Sequence, residues 1–417
     1  MKITYLHQYF ATRKSITSTR SYEIAKYLVS QGHDVTVITT DAFIKDELNE
    51  IPYSRKVSYK TTEGIKVIAQ RNKYSNRMSF RRRILSFVKY ILFAYHEAKS
   101  IKPDLVFSTS TPLTIAIPTL MLYKFKKLKY VFEVRDLWPE APKQMGVINN
   151  KLILWIMKKL EKAVYENAEH IISLSPGMTE GIESTGIPAS KITLVPNFSD
   201  LELFSLKNID EKFVEDIRHK YQLDNQFVLA HIGAMGKANG LDYLVKAALI
   251  LQENKIDDVV IMIAGDGMVK MELEKYCNDN NLQNVIFTGF IAREKIPSLT
   301  SIADITMTSF KNLPVLATNS PNKFFDSLAA GKPIIVNSAG WTKDIVEKNQ
   351  IGYYVDPTKP KKLADLLQEL QFEKDYLSKL SPKIKQLAKK EYAVEKEVQK
   401  VENVLVESYL GSDNNGN

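Results

Sequence analysis

One cysteine in 417 residues, Cys277 within KYCNDNN, is too few for a disulfide framework or a thiolate metal cluster. That points to a reducing compartment, the cytoplasm. Long hydrophobic runs are lacking too. The segment RRRILSFVKYILFAYHEAKS (81–100) is broken by Ser86 and Lys89 and falls short of the about 20 apolar residues a membrane span needs. The opening MKITYLHQYF runs straight into a strand-like pattern, without the charged, apolar and small-residue regions of a signal peptide. Histidine is sparse, six in all. There is no Walker loop, no spaced dinucleotide fingerprint, no aromatic RNA-binding strand motif and no recognition-helix signature.

Acids are scarce in one place. Residues 65–130 hold fourteen Lys and Arg against Glu97 and Asp104, so this block is +12 and the remainder of a chain of net charge +9 sums to −3. Such a block suggests an anionic surface as partner, membrane lipid or nucleic acid, and the missing nucleic-acid motifs argue against the second. Ile84, Val88, Ile91, Leu92 and Tyr95 fall at helical spacing beside Arg81, Arg82, Arg83 and Lys89. This segment can lie on a bilayer without crossing it, or pack on a sheet with its basic residues solvated.

What is present is an ordinary folded composition, 44% apolar and 25% charged. The length exceeds what one core usually supports, so two domains are expected. Short β-branched runs alternate with helix-length segments: ITYL, VTVITT, IKVIA, DLVFSTS, YVFEVRD, HIISLS and KITLVPN, then FVLAHIG, VVIMIAGDG, NVIFTGF, DITMTSF, KPIIVN and GYYVDP. Strands apolar nearly throughout belong to parallel sheets covered on both faces. The fold class is α/β, doubly wound, twice. A polar segment after VPNFSD places the boundary near residue 200, giving domains over 1–200 and 201–390 and a helical end over 391–417 that finishes in the tail SDNNGN.

In open α/β sheets ligands sit at the carboxyl ends of strands, where helix starts favour anions. HIGAMGKANGLDYL (231–244) reads as strand, turn and helix. Gly233 and Gly236 would let backbone approach a phosphate and Lys237 adds charge, although a plain turn uses the same residues. AGDGMVKMELE (264–274) ends a strand in Gly265-Asp266-Gly267, where turn chemistry accounts for both glycines and Asp266 suits a helix cap. SPNKFFDSLAAGKPII (320–335), with Asn319 before it, puts Asn319, Ser320 and Pro321 at an N-cap and first turn, and Lys323 and Asp326 on one face. A phosphate at the helix start with a carboxylate one turn along suits a nucleoside diphosphate, because a carboxylate accepts two hydrogen bonds from a ribose diol. The alternative is a Lys323–Asp326 pair on a solvated face. FEVRDLWPEAP (132–142) closes a strand with Arg135 and Asp136, the latter a candidate site acid or a cap of the next turn.

Taken together, HQYF, TRSYEIAKYLVSQGHDVTVIT, FEVRDLWPE, SLSPGM, LVPN, IGAMGKANGLD, AGDG, FTGFI and SPNKFFDSLAAGKPII span nearly the whole chain. In that order they resemble the retaining family 4 glycosyltransferases of GT-B fold, two Rossmann-like domains facing a central cleft. FEVRDLWPE with SPNKFFDSLAAGKP is most similar to the bacterial polysaccharide branch that includes N-acetyl-L-fucosamine transferases.

The resemblance implies transfer of a sugar from a UDP-sugar with retention, no required metal and no cofactor. It places Gly233, Gly265, Asn319, Ser320, Pro321 and Asn322 around the nucleotide, with Lys323 on the diphosphate. Asp326 matches the second acid of a paired-glutamate pattern that holds the ribose, and Gly289, Phe290 and Ile291 match the backbone that reads the uracil edge. Asp136 would face the donor sugar beside Arg135, and the helix in 391–417 would return to the first domain. The chain departs from the pattern at Thr318 (first glutamate), Ala234 and Asn239 (arginine and lysine), Thr17 and Ser18 (glycine pair) and Arg135 (histidine). Phosphate charge then falls to Lys323 and Lys237, with Arg293 or Lys311 as further candidates.

The basic block fits a polyprenyl diphosphate-linked saccharide acceptor of capsule or O-antigen synthesis. The enzyme would contact the inner face of a bacterial plasma membrane through residues 71–100, with Arg77 to Arg83 near the diphosphate. A UDP-sugar epimerase of the same shape is the rival, distinguished by product formed without acceptor. A basic nucleic-acid-binding protein is the weaker one.

Overall fold

The computed structural model describes residues 1–13, 19–44, 46–48, 54, 56–72 and 80–411, without the side chains of Phe80, Arg81 and Arg83. Thr17, Ser18, Arg77 and the tail 412–417 lie outside the described residues. The chain forms two compact units, Met1–Pro196 with Glu395–Asn417, and Asn197–Val394.

In the first unit, β1 (Lys2–Leu6), β2 (Asp34–Thr40), β3 (Lys56–Lys60), β4 (Lys66–Gln70), β5 (Leu105–Thr109), β6 (Tyr130–Val134), β7 (His170–Ser173) and β8 (Ile192–Leu194) form one sheet. Their order is β3-β4-β2-β1-β5-β6-β7-β8. Central strands β5 and β6 are buried at every position, as a sheet covered on both faces requires. The expectation of wholly parallel sheets needs one correction, because β3 runs antiparallel to β4. Its sequence, KVSYK, is short and begins and ends with lysine, the composition of a guarded edge strand, so it lacks the apolar run that marked the others.

The second unit holds β9 (Phe227–Ile232), β10 (Val259–Ala264), β11 (Val285–Gly289), β12 (Ile305–Thr308), β13 (Ile334–Val336) and β14 (Gly352–Tyr354). They are ordered β11-β10-β9-β12-β13-β14, every pair parallel. In each sheet the winding reverses once, beside β1 and β5 in the first and beside β9 and β12 in the second. Crevices for ligands open at such switch points.

Helices cover the faces. In Lys151–Asn167 the Asn150 side chain accepts from the amides of Leu152 and Ile153 at 2.9 and 3.1 Å, satisfying two of the orphan donors at the helix start. Asn322–Ala330 ends on Gly331 at φ +70°, a left-handed stop that glycine adopts freely. The helix Val394–Leu410 buries Val398, Val401 and Leu405, and Glu402 meets His33 of the first unit at 3.0 Å. Among the described residues no helix is long and apolar enough to cross a membrane.

Candidate active site

At the switch point of the second sheet, Gly233 follows β9 and Gly265 follows β10, with φ of +145° and +135°. Their backbones approach so closely that a Cβ on Gly265 would fall on the Gly233 carbonyl. The amide of Gly233 donates to Ala264 O at 2.9 Å and that of Gly265 to Gly289 O at 2.8 Å. Glycine is required here by close approach, which decides between the two readings of Gly265 only in favour of packing.

Above this bed lies Lys323. A Cβ on Gly233 would stand 3.3 Å from its Cε and 3.7 Å from its Nζ. The ammonium donates to Asn239 Oδ1 at 3.0 Å and to His231 Nε2 at 3.3 Å. Both acceptors are fixed by a second bond. The Asn239 amide donates to Ala234 O at 2.7 Å, and His231 Nδ1 lies 3.2 Å from Met307 O. A carbonyl can only accept, so Nδ1 carries the proton and Nε2 offers its lone pair to Lys323. The register makes this possible, since Thr306 pairs with Ala230 and Met307 therefore comes alongside His231. Burial, with the Lys323 charge second, holds the imidazole well below its ordinary pKa. Burial also lowers the Lys323 ammonium to about 7. Two of its three N–H groups are spent on neutral acceptors, which leaves one for a ligand.

One turn along, Asp326 is held by Arg293 through two parallel bonds of 2.9 and 3.0 Å. The alternative of a Lys323–Asp326 pair is therefore not what forms, and Arg293 is committed to the carboxylate. A carboxylate has about four lone-pair positions, so the bidentate fork leaves capacity for hydroxyl donors. The expected cap is corrected as well. The helix starts at Asn322 after Pro321, which makes no side-chain cap bond. Ser320 Oγ accepts from the Asn197 amide at 3.0 Å, and Asn319 O accepts from Trp341 Nε1 at 2.8 Å, so both brace the approach instead. Asp266 does not cap either, its carboxylate accepting from the next amide, Gly267 N, at 2.7 Å. Phe290 and Lys237 are exposed, Ile291 half-buried, and Gly289 turns the chain at φ +75°. Lys311 opens on a separate hollow of about 460 Å³ lined by Asp242, Lys246 and Thr358.

The first sheet presents a different edge. Glu133, in the middle of β6's apolar run, is fully buried and accepts from Arg20 Nε at 2.8 Å and Thr109 Oγ1 at 2.6 Å, with Arg135 Nε at 3.3 Å. Burial opposes its charge, but Arg20 and then Arg135 outweigh that and hold its pKa below the ordinary value. Arg20 also donates to Pro196 O and Val195 O at 2.6 and 2.9 Å. Asp136 accepts from Thr111 Oγ1 at 2.8 Å rather than capping the next turn, and burial raises its pKa against the pull of Thr111 and Arg135. His7 Nδ1, both amide atoms of Gln8 and Arg135 Nη2 are buried with no hydrogen-bond partner among the described residues. Each such orphan costs about 1–3 kcal/mol, so they are poised to bind a polar group.

Residues 17–203 match the family described as Glycosyltransferase Family 4, and 213–390 match Glycosyl transferases group 1. The chain is a glycosyltransferase of this two-domain kind. The transferase is 23% identical over 329 residues to the Escherichia coli protein named as the colanic acid biosynthesis glycosyl transferase WcaI, covering 77% of this chain and 79% of that one. It is 25% identical to alpha-galactosylglucosyldiacylglycerol synthase of Streptococcus pneumoniae, over 58% of this chain and 61% of the relative. Its fold is that of Anabaena HepE, solved with UDP and glucose, at TM-score 0.71 and 18% identity over 97% of this chain and 99% of that one. It is also that of the sucrose-phosphate synthase of Thermosynechococcus elongatus, at TM-score 0.76 and 14% identity over 98% and 99% of the two chains. The fold is thus GT-B, two Rossmann-like α/β domains.

Within the second unit of the transferase, Gly233, Gly265, Lys323 and Asp326 come together with His231, Asn239 and Arg293. Neither His231 nor the partnership of Arg293 is among the expectations drawn from the sequence. A histidine in an otherwise apolar strand, FVLAHI, was the available signal. Glu133, also outside those expectations, carries the same kind of signal, a lone acid in a buried strand. Cys277, expected in a polar setting, is buried, and burial pushes its thiol up to about 11. Among the described residues no group of three His, Cys, Asp or Glu is placed to hold a metal ion.

Proposed function

We propose that this transferase moves a sugar, of the N-acetylated deoxyhexosamine kind such as N-acetyl-L-fucosamine, from a UDP-sugar to a lipid-linked saccharide, with retention and without metal. The observation that carries the reading is Lys323, an ammonium without a carboxylate partner among the described residues, held over a glycine bed at a sheet switch point, with Asp326 one turn along. The diphosphate accepts the third Lys323 N–H, the ribose hydroxyls donate to Asp326, and the exposed Phe290 with the backbone of Gly289 and Ile291 meets the uracil.

As the bond from the anomeric carbon to the phosphate oxygen breaks, charge grows on the diphosphate, where Lys323 and the amides at the start of Asn322–Ala330 stabilise it. The acceptor oxygen bonds to that carbon on the same face and its proton passes to a leaving-group phosphate oxygen. Asp136 and the orphaned groups of His7, Gln8 and Arg135 bind sugar hydroxyls and need not act as nucleophiles.

Capsule or O-antigen synthesis is supported by the relative named for colanic acid, and a lipid acceptor by the one named for a diacylglycerol glycolipid. The helix Phe80–Ile101 supports peripheral contact with the inner face of a plasma membrane, since Ile84, Leu85, Val88 and Leu92 are exposed beside Arg82 and Lys89.

Calorimetric titration with UDP, GDP and ADP, without divalent metal, tests the donor site. UDP is expected to bind and Asp326→Ala to weaken it at least tenfold. Equal binding of all three nucleotides, or of none, overturns the reading.

A further inference from the structure

Three helices of the first unit pack in sequence on one layer: Phe80–Ile101 against Ala116–Lys126, and Ala116–Lys126 against Lys151–Asn167. The last of them is apolar on two opposite sides. Val164 and Tyr165 are buried inward, and Met157 and Leu160 pack against the same core. Leu152, Trp155 and Ile156 recur at three and four residues on the other side and are 65%, 58% and 51% exposed. Among the described residues nothing covers that second stripe. Burying such side chains is worth more than leaving them in water, so an unpartnered stripe of this size calls for an occupant.

The charge around it selects the occupant. Lys151, Lys158, Lys159 and Lys162 are exposed on this helix, and Lys159 reaches over the Trp155 ring at 5.8 Å. Of its two acids, Glu161 is buried and Glu166 pairs with Lys162 at 3.6 Å. The neighbouring helix ends in Lys124, Lys126 and Lys127, all exposed, and the Phe80–Ile101 helix shows Leu85, Val88 and Leu92 outward. A second copy would set lysines against lysines. A bilayer with anionic headgroups meets both the apolar stripe and its basic flanks.

We propose that the outward face of Lys151–Asn167 is a second membrane-docking element, seating Leu152, Trp155 and Ile156 in an anionic bilayer alongside the Phe80–Ile101 helix. This rests on the reading of Phe80–Ile101 as a membrane contact and adds an anchor that the basic block 65–130 does not contain. Trp155 supplies its own reporter, because the other two tryptophans, Trp138 and Trp341, are only half-buried contributors within the fold.

The full-length protein is sedimented with vesicles of phosphatidylcholine alone and with about one-third phosphatidylglycerol, while tryptophan emission is recorded. The expected result is partition onto the anionic vesicles with a blue shift. The triple variant Leu152→Ser, Trp155→Ser, Ile156→Ser should lose roughly tenfold or more in partition at an unchanged melting temperature. Trp155→Phe should keep binding and lose the spectral shift. A Leu85→Ser, Leu92→Ser variant runs beside them. Loss there with full binding by the triple variant leaves the first contact standing and overturns this one, whereas absence of wild-type binding overturns both. A blue shift that persists in Trp155→Phe, or a concentration-dependent dimer abolished by the triple variant, also overturns it.

Discussion

The carboxyl edges of the two sheets solve opposite electrostatic problems. In the first, the buried Glu133 answers Arg20 and Arg135, and Arg20 is further tied to two carbonyls. In the second, the partners of Lys323 among the described residues are the neutral His231 and Asn239, and burial has already brought it to about 7. A network of paired ions specifies a shape, whereas a cation kept among neutral acceptors lacks an anion. The difference teaches where chain stability and where ligand affinity reside.

Removing one partner from the closed edge should do the greatest damage. Glu133→Ala removes the buried carboxylate that Arg20 and Arg135 share, with an expected loss of about 3–5 kcal/mol in urea unfolding. A loss below about 1 kcal/mol would mean the network is no scaffold. Lys323→Ala should do the reverse, leaving the unfolding curve in place while kcat/KM falls about 10²–10³-fold.

The protonation state sharpens the contrast further. The folded pKa of Lys323 is depressed, so its charged form prevails below about 7 and is lost as pH rises. UDP affinity should therefore fall about tenfold per unit between pH 7 and 9, and Lys323→Arg should flatten that slope. Smallest is Arg293→Gln. The pair is about one-fifth exposed on each side, and freeing Asp326 from its fork should weaken UDP about fivefold, near 1 kcal/mol, by calorimetry.

Much of the scaffold could be read from the chain, because buried parallel strands leave continuous apolar runs. Only β3, polar and short, escaped. The site was legible in part. Glycines before helices announced the bed at Gly233 and Gly265, and SPNKFFD announced Lys323 and Asp326. What those side chains hold was hidden, since partners such as His231 and Arg293 are brought in by strand register and by a turn some thirty residues away in sequence. A cap that reads correctly at Ser320 is overridden by a tertiary bond to Asn197, a choice local pattern cannot see.

The chain passes out of the first unit after Pro196 and back into it at Glu395. Val398, Val401 and Leu405 then complete a core whose first strand begins at Lys2. The first unit is thus assembled from segments on either side of the second, whereas the second is drawn from one uninterrupted segment. A chain cut after residue 394 would keep the second unit whole and deprive the first of Val398, Val401 and Leu405, so that the loss of stability would fall on the first unit.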